Sequence, residues 1–600
     1  MKINVRYTIV ASVLSSLLLA CSPQSQESSQ TSTAQTKAPE KTSVEVREPE
    51  AATGFADKKA VHSKNFMVAA ANPHAVNAGY EVLKDGGSAV DAAIAVQTML
   101  GLTEPQSSGI GGGAFILYWD NSEKKLYTVD ARETAPMNAT DELFLDEQGN
   151  APRWIDAVVG GRSVGTPGVL RGLELAHQRW GKKSWSSLFD DAISLAEQGF
   201  EVSPRLAKLV EMEINPGVKK MPAASAYFFP DGEPLQAGEL LKNPDYANSL
   251  SLIAEQGADA FYTGPLAEKI VDAVQNSAIA PGKLSLKDLA NYEAKIRQPV
   301  CDNYRQFQVC GMGPPSSGGL TTLQTLGVLA NFELAEMPIN GLEPTHLFTQ
   351  ASRMAFADRN QWIADPDFVD VPVAAMLDDD YLASRAQQIS GDDMGKASPG
   401  LYLQPEYRQD IAYERPNTSH MSIVDAEGNV VSMTTSIEMG FGSTVMAGGF
   451  LLNNQLTDFS LVPMAGDTPI ANRVEPGKRP RSSMSPTIIL DEQGKQVVHA
   501  VGSPGGSRII NYVTQTIVGL IDWQLDMQQA MNIGHVTNRN DYTSLEKGMA
   551  IEKHAEALKE RGHDVRVMDL NSGLHGITIN PDGTLTGGAD PRREGTVKGE

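Results

Sequence analysis

Apolar positions along this chain fall into two registers, and the change from one to the other divides it. From Ser88 to Leu100, Val90, Ala93, Ile94 and Val96 (with Gln97) recur at helical spacing and predict one buried helix face. Pro73 to Leu83 reads the same way. Ala114 to Trp119 is instead a continuous apolar and aromatic run, a strand pattern. It pairs with Leu126 to Val129 across the polar stretch Asp120-Asn121-Ser122-Glu123. Helical patterns recur through 168–210, 246–275, 318–331 and 344–358. After Thr418 the chain turns strand-rich, at 419–425, 429–437, 448–453, 485–490 and 496–501, before helices return at 508–520 and 524–532. Pattern alone predicts a mixed α/β protein.

The first 20 residues stand outside this pattern. Lys2 and Arg6 precede a short apolar stretch from Ile9 to Ala20, too short to span a membrane comfortably. It ends Leu18-Leu19-Ala20-Cys21, which resembles a lipoprotein cleavage box. The expectation is a leader over 1–20, a lipidated Cys21 and a flexible tether over 21–55. An ordinary secretory leader is the alternative. From Ser22 to Thr53 the chain is rich in Ser, Gln, Thr, Ala and Glu, too polar to offset the entropy of ordering. These features place the globular part outside the cytoplasm, on the periplasmic face of a membrane or at the cell surface. Ser22 after the cysteine leans towards an outer membrane.

Composition narrows the partners. Lys and Arg total 50 against 73 Asp and Glu, a net charge of −23. That balance argues against nucleic acid or anionic lipid as a partner of the body. The remaining length exceeds a typical single domain. Cys301 and Cys310 lie nine residues apart, and a hairpin disulfide and two buried thiols are both open. Ten scattered histidines give a metal site no support, and no cofactor is expected. Gly109-Ile110-Gly111-Gly112-Gly113-Ala114 fits a dinucleotide-binding string formally. It precedes a strand rather than opening a helix, so the context is wrong.

The candidate chemistry centres on Asn417-Thr418-Ser419-His420. Thr418 heads a strand that turns at Glu427-Gly428-Asn429 and returns as Val430 to Ser436. Most such threonines are ordinary strand residues. One that becomes an N-terminus by chain cleavage carries its own base, because the free α-amine takes the hydroxyl proton.

Longer strings decide between these. Thr418-Ser419-His420, the run Gly449 to Ser460, Lys478-Arg479-Pro480-Arg481-Ser482-Ser483-Met484-Ser485-Pro486-Thr487 and Gly502-Ser503-Pro504-Gly505-Gly506-Ser507-Arg508 resemble the small subunit of γ-glutamyltransferases. Asp130-Ala131-Arg132-Glu133-Thr134-Ala135-Pro136 and Glu104 to Gly113 resemble the large subunit. The similarity runs from about Phe66 to Arg593. It implies an αββα sandwich of the N-terminal-nucleophile hydrolase type, one domain built from two self-cleaved pieces, 56–417 and 418–600, that stay paired.

The resemblance also implies roles. Thr418 would attack the Asn417 carbonyl to cut the chain, then attack the γ-carbonyl of glutathione or a related γ-glutamyl amide. The γ-glutamyl group would pass to water or to an amino acid or peptide acceptor. Gly505 and Gly506 would supply oxyanion amides. Arg132, Ser482 and Ser483 would hold the donor's α-carboxylate, and Gln455 and Asp458 its ammonium. A surface salt bridge for Arg132 and loop capping for the serines are the bland alternatives. Two positions depart from the usual pattern. Ser436 stands where a threonine normally partners the nucleophile, and Glu438 where an asparagine is usual. A second carboxylate near Asp458 would strengthen ammonium binding or raise one pKa by repulsion. From Asp458 to Lys478 no aromatic follows Phe459. The tyrosine-bearing lid of some relatives is therefore absent, and a site open to bulky donors is expected. Two rival readings remain, a glutaryl-type acylase and a catalytically silent, lipid-tethered binding protein.

Overall fold

The computed structural model describes residues 55–401, 403, 406–410, 412 and 417–600. The expected leader, Cys21 and nearly all of the tether lie outside them.

The helix Ala89–Thr103 shows how the sequence builds the outer layers. Ser88 caps it, accepting from Asp91 N–H while the Asp91 carboxylate accepts from Ser88 N–H, a reciprocal box that settles two orphan donors. Every residue from Ala89 to Thr103 is buried. The helix is apolar on all sides because a sheet lies beneath it and the helices Pro73–Lys84, Val169–Trp180 and Asp190–Gln198 flank it.

The sheet beneath has seven antiparallel strands in the order Thr596–Gly599, Met67–Ala70, Ser419–Val424, Val430–Ser436, Gly113–Asp120, Lys125–Ala131 and Lys295–Arg297. The predicted hairpin is present, with Trp119 opposite Leu126 and Ala114 opposite Ala131. A second seven-stranded antiparallel sheet faces the first. Its order is Val61–Ser63, Leu585–Ala589, His575–Ile579, Val497–Gly502, Thr487–Leu490, Phe307–Gly311 and Val300–Tyr304. The helices Gly318–Leu329, Ile509–Ile521 and Met527–Met531 cover its outer face. The architecture is the αββα sandwich.

Strand alternation sorts the side chains. Met421, Ile423, Val431, Met433, Ala114, Ile116 and Tyr118 share a core with the helix Ala89–Thr103. Phe115, Leu117, Trp119, Met67 and Ala69 point the other way, into the core shared with the second sheet. Near Thr418 that inner layer becomes polar. His420 Nδ1 lies 2.8 Å from Thr434 Oγ1 and Nε2 3.1 Å from Ser422 Oγ. Burial holds its pKa well below the ordinary value, so the ring is neutral among hydroxyls.

Both sheets mix strands from either side of residue 418. Met421 pairs with Ala70, and Thr435 with Ala114. A chain cut before Thr418 therefore leaves two pieces laced together by strand hydrogen bonds.

The structure departs from the sequence reading in its strands, and it decides between the two readings left open for the cysteines. The strand expected over 448–453 shrinks to Phe450–Leu451, paired with Met446–Ala447 outside both large sheets. Gly448 and Gly449 take positive φ, 54° and 82°, and form the turn of that small hairpin. Strands at 575–579, 585–589 and 596–599 went unpredicted. Finally, Cys301 and Cys310 stand opposite each other on adjacent strands and are joined as a disulfide.

Candidate active site

Thr418 sits at the mouth of the inter-sheet layer, directly before the strand Ser419–Val424. Its neighbour across the hairpin is the last residue of Val430–Ser436. Thr418 Oγ1 lies 2.5 Å from the Asn417 carbonyl oxygen and 3.2 Å from Ser436 Oγ. The Ser436 hydroxyl donates to that same carbonyl oxygen at 2.9 Å. It also accepts the Glu438 N–H at 2.9 Å. The Asn417 side chain is held at both ends, its Nδ2 donating to Gln106 O at 2.8 Å and its Oδ1 accepting from Ser107 Oγ at 2.8 Å. The peptide unit before the nucleophile is thus clamped, and its carbonyl already carries a donor where negative charge would develop.

A cleft of about 250 Å³ opens beside this bond. It is lined by Thr418, Asn417 and Ser436, by Arg132, Glu438, Gln455, Asp458, Ser482 and Ser483, and by Gly506. Apart from Gly505, which is not in the lining, the residues picked from sequence therefore converge from six separate segments.

Arg132 follows the strand Lys125–Ala131 and is almost completely buried. Its Nε donates to Pro480 O at 3.2 Å and its Nη2 to Arg481 O at 2.9 Å. The same Nη2 lies 2.5 Å from Asp458 Oδ2. The bland alternative, a surface salt bridge, is therefore overturned, since the pair is buried in the cleft wall. A guanidinium beside a carboxylate complements an α-amino acid head, whose carboxylate and ammonium have the reverse order of charge. Glu133 Oε2 lies 3.6 Å from Arg132 Nη1. Burial, opposed by Arg132, raises its pKa to about 8, so at neutral pH this contact joins a guanidinium to a carboxylic acid.

The two serines lie in the loop before the strand Thr487–Leu490. Ser482 Oγ accepts the Met484 N–H at 3.1 Å, and Ser483 Oγ accepts from Arg359 Nη2 at 2.8 Å. With an acceptor position of each hydroxyl used, its proton is left to donate to a carboxylate. Gln455 Oε1 is buried with no hydrogen-bond partner among the described residues, a waiting acceptor for an ammonium.

Glu438 does enter the cleft. Its φ is 77°, in the left-handed region, and its Oε2 accepts from Asn454 Nδ2. Gly505 and Gly506 have φ of 135° and 56°. They lead through the turn Gly506–Arg508 into the helix Ile509–Ile521, whose positive end favours an oxyanion. The loop Gly109–Gly112 runs into the strand Gly113–Asp120, not a helix, as its context required.

Sequence reasoning missed Ser107, Asn454 and Arg359. Ser107 and Asn454 lie inside the strings Glu104 to Gly113 and Gly449 to Ser460, and Arg359 is a charge within the largely buried helix Leu342–Trp362. Among the described residues no cluster of metal-ligating side chains occurs, and no helix is long and apolar enough to cross a membrane.

Two facing antiparallel sheets under helices, with a threonine leading one inner strand, define the N-terminal-nucleophile hydrolases. Within that class the family model for gamma-glutamyltranspeptidase matches residues 75–600, and the chain belongs to that family. It is 38% identical to the glutathione hydrolase proenzyme of Bacillus subtilis (strain 168), over 89% of this chain and 92% of that one. Identity to the glutathione hydrolase proenzyme of Escherichia coli (strain K12) is also 38%, covering 89% and 91%. The solved cephalosporin acylase of Bacillus halodurans superposes with a TM-score of 0.79 at 28% identity, covering 91% of this chain and 97% of its own.

Proposed function

We propose that this protein is a self-cleaving γ-glutamyltransferase and hydrolase acting on glutathione and related γ-glutamyl amides. The observation that carries the reading is the buried Arg132–Asp458 pair lining the same cleft as the clamped Asn417–Thr418 bond.

In the first reaction Thr418 Oγ1 adds to the Asn417 carbonyl carbon, closing a five-membered ring, and Ser436 stabilises the oxyanion. Collapse breaks the C–N bond, the Thr418 hydroxyl proton passes to the departing nitrogen, and an ester on Thr418 with a free α-amine remains. Water then hydrolyses that ester, releasing two pieces, 56–417 and 418–600 within the folded part.

In the second reaction the new amine, with an ordinary pKa of ~7.7–8.0, takes the Thr418 proton as the hydroxyl attacks the donor's γ-carbonyl. The Gly505 and Gly506 amides hold the oxyanion. The leaving amine recovers the proton, and water or an acceptor amine resolves the acyl-enzyme. Arg132, Ser482 and Ser483 orient the donor's carboxylate, while Asp458, Gln455 and Glu438 face its ammonium. The short connection from Asp458 to Lys478, with no aromatic after Phe459, would leave the cleft open to bulky donors.

Masses of the purified wild type and of Thr418→Ala test the first step. Two pieces split at 417/418 in the wild type, and one chain in the variant, are expected. A wild type that stays whole would instead support a silent binding protein. A γ-glutamyl anilide compared with a glutaryl anilide tests the second. The likeness to a solved cephalosporin acylase keeps a glutaryl-type acylase as the second reading. Equal turnover of the two anilides would favour it, because only the first carries an ammonium.

The proposal extends to location. A lipidated Cys21 after a cleaved leader would tether the enzyme on the outer side of a membrane, in keeping with the disulfide. Fatty-acid labelling that persists in Cys21→Ala would refute this.

A further inference from the structure

Asp410 is a buried carboxylate with no part in either reaction above. It lies outside the lining of the cleft, in the stretch of chain that leads to Asn417. Its Oδ2 lies 2.9 Å from Arg481 Nη2 and accepts from Asn472 Nδ2 at 2.8 Å. Its Oδ1 accepts the Ala412 N–H at 2.7 Å. Arg481 and Asn472 are themselves fully buried.

These two partners reach the charges proposed to grip the donor. Asn472 Nδ2 also donates to the Asp458 carbonyl oxygen at 2.7 Å, and its Oδ1 accepts the Arg481 N–H at 2.9 Å. One amide side chain thus joins Asp410, Asp458 and Arg481, with both of its donor hydrogens used. The Arg481 carbonyl oxygen in turn accepts from Arg132 Nη2 at 2.9 Å. Asp410 is therefore one residue removed from Asp458 and one from Arg132.

The stretch that carries Asp410 has its own hold on the body. Arg408 N–H donates to Pro469 O at 2.9 Å, and Asp410 N–H to Asn360 O at 2.8 Å. Gln361 Nε2 donates to Tyr407 O at 2.7 Å. None of these contacts needs the Asn417–Thr418 bond. A cut there would leave 406–410 on the large piece, with Pro469, Asn472 and Arg481 on the small one. A buried guanidinium is costly to keep when a carboxylate beside it is lost. Removing the charge of Asp410 would shift the loop whose carbonyls seat Arg132.

We propose that Asp410 is a positioning residue for the donor. In the cut enzyme it ties the end of the large piece to Arg481 and Asn472. Through them it fixes the spacing of Arg132 and Asp458, which must match the spacing of carboxylate and ammonium on one carbon of the donor. It touches no substrate atom and takes no part in proton transfer.

The inference rests on the γ-glutamyl reading, and its test separates the two. The self-cleaved enzyme is assayed with a γ-glutamyl anilide, and kcat is counted per cut chain. Asp410→Asn keeps the size and removes the charge. Its KM should rise about tenfold, as loss of one charged contact would give, with kcat within about twofold and both pieces still formed. Arg408→Pro removes the N–H that reaches Pro469, away from the buried charges, and its KM should rise about two- to threefold. A merely structural role would lower kcat and leave KM alone. That result, or an unchanged KM in Asp410→Asn, would overturn the inference while anilide turnover left the γ-glutamyl reading standing. If Asp410→Asn does not fold, Arg408→Pro decides, and an unchanged KM there overturns it equally. A wild type unable to use the anilide would sink that reading and this one together.

Discussion

The two ends of the cleft are built from different materials. The end proposed to break bonds is neutral, made of the Thr418 and Ser436 hydroxyls, the Asn417 amide and the Gly505–Gly506 backbone. The end proposed to grip the donor is ionic, with Arg132 and Asp458 paired in the wall and Glu438 nearby. Hydroxyls and amides placed by strand ends need no counter-ion. Buried charges need partners, and here Arg132 and Asp458 partner each other. The first end should therefore control whether the chain is cut, and the second only what the cut enzyme recognises.

The sharpest way to break this division is Arg132→Gln. It leaves Asp458 without its guanidinium and the donor without its carboxylate partner. Removing one member of a buried ion pair is worth about 3–5 kcal/mol, so kcat/KM for a γ-glutamyl anilide should fall by about a thousandfold. Cleavage at Asn417–Thr418 should proceed normally in the same protein. A variant that stays uncut would show that the ionic end also shapes the scissile bond.

Ser436→Ala reverses the experiment. Losing a donor to the Asn417 oxygen should slow self-cleavage by about a hundredfold, as for other oxyanion contacts. Incubation should still yield both pieces, with the donor's KM little changed. A KM shift as large as the fall in cleavage rate would end the separation of roles. Ser107→Ala is a weaker form of the same test. It removes one hydrogen bond to the Asn417 side chain, and an effect of about tenfold or less on cleavage rate is expected. No slowing at all would mean that the Gln106 contact alone holds Asn417.

The two ends also differed in how local their patterns are. Thr418, Ser436 and the glycine pair sit in a hairpin and a Gly-Gly turn, where neighbours in sequence are neighbours in space. Their expected roles, like those of Arg132, Ser482 and Ser483, came from the long strings resembling the family, not from spacing. The supporting contacts join segments far apart in the chain. Ser107 reaches Asn417 across 310 residues, and Arg359 reaches Ser483 across 124. The same limit applies to the fold. Alternation at 419–424 and 430–436 marked the central strands well. The strands His575–Ile579 and Leu585–Ala589 hide behind glycines and short length, and neighbouring strands, not propensity, make them strands.

Glu133 provides the finest test, because it touches the ionic end without entering it. Burial raises its carboxyl to about 8, far above the usual 4.5, with Arg132 opposing and Asp458 and Asp130 adding to the rise. At pH 7 it holds its proton beside the Arg132–Asp458 pair. Above about 8 it ionises 3.6 Å from Arg132 Nη1 and competes with the donor's carboxylate. KM should therefore rise a few-fold, roughly two to five times, between about pH 7 and 9, and stay level in Glu133→Gln. Stability gives a second readout. The folded protein keeps a proton that the unfolded chain sheds, so this group's contribution falls as pH rises from 4.5 towards 8 and is then constant. The slope is at most about 1.4 kcal/mol per pH unit, and Glu133→Gln should remove it. The Thr418 amine titrates in the same range with the opposite sign, since it becomes an active base by losing its proton. A rise in KM that survived Glu133→Gln would have to come from the donor's own ammonium, and the ionic end would then owe nothing to Glu133.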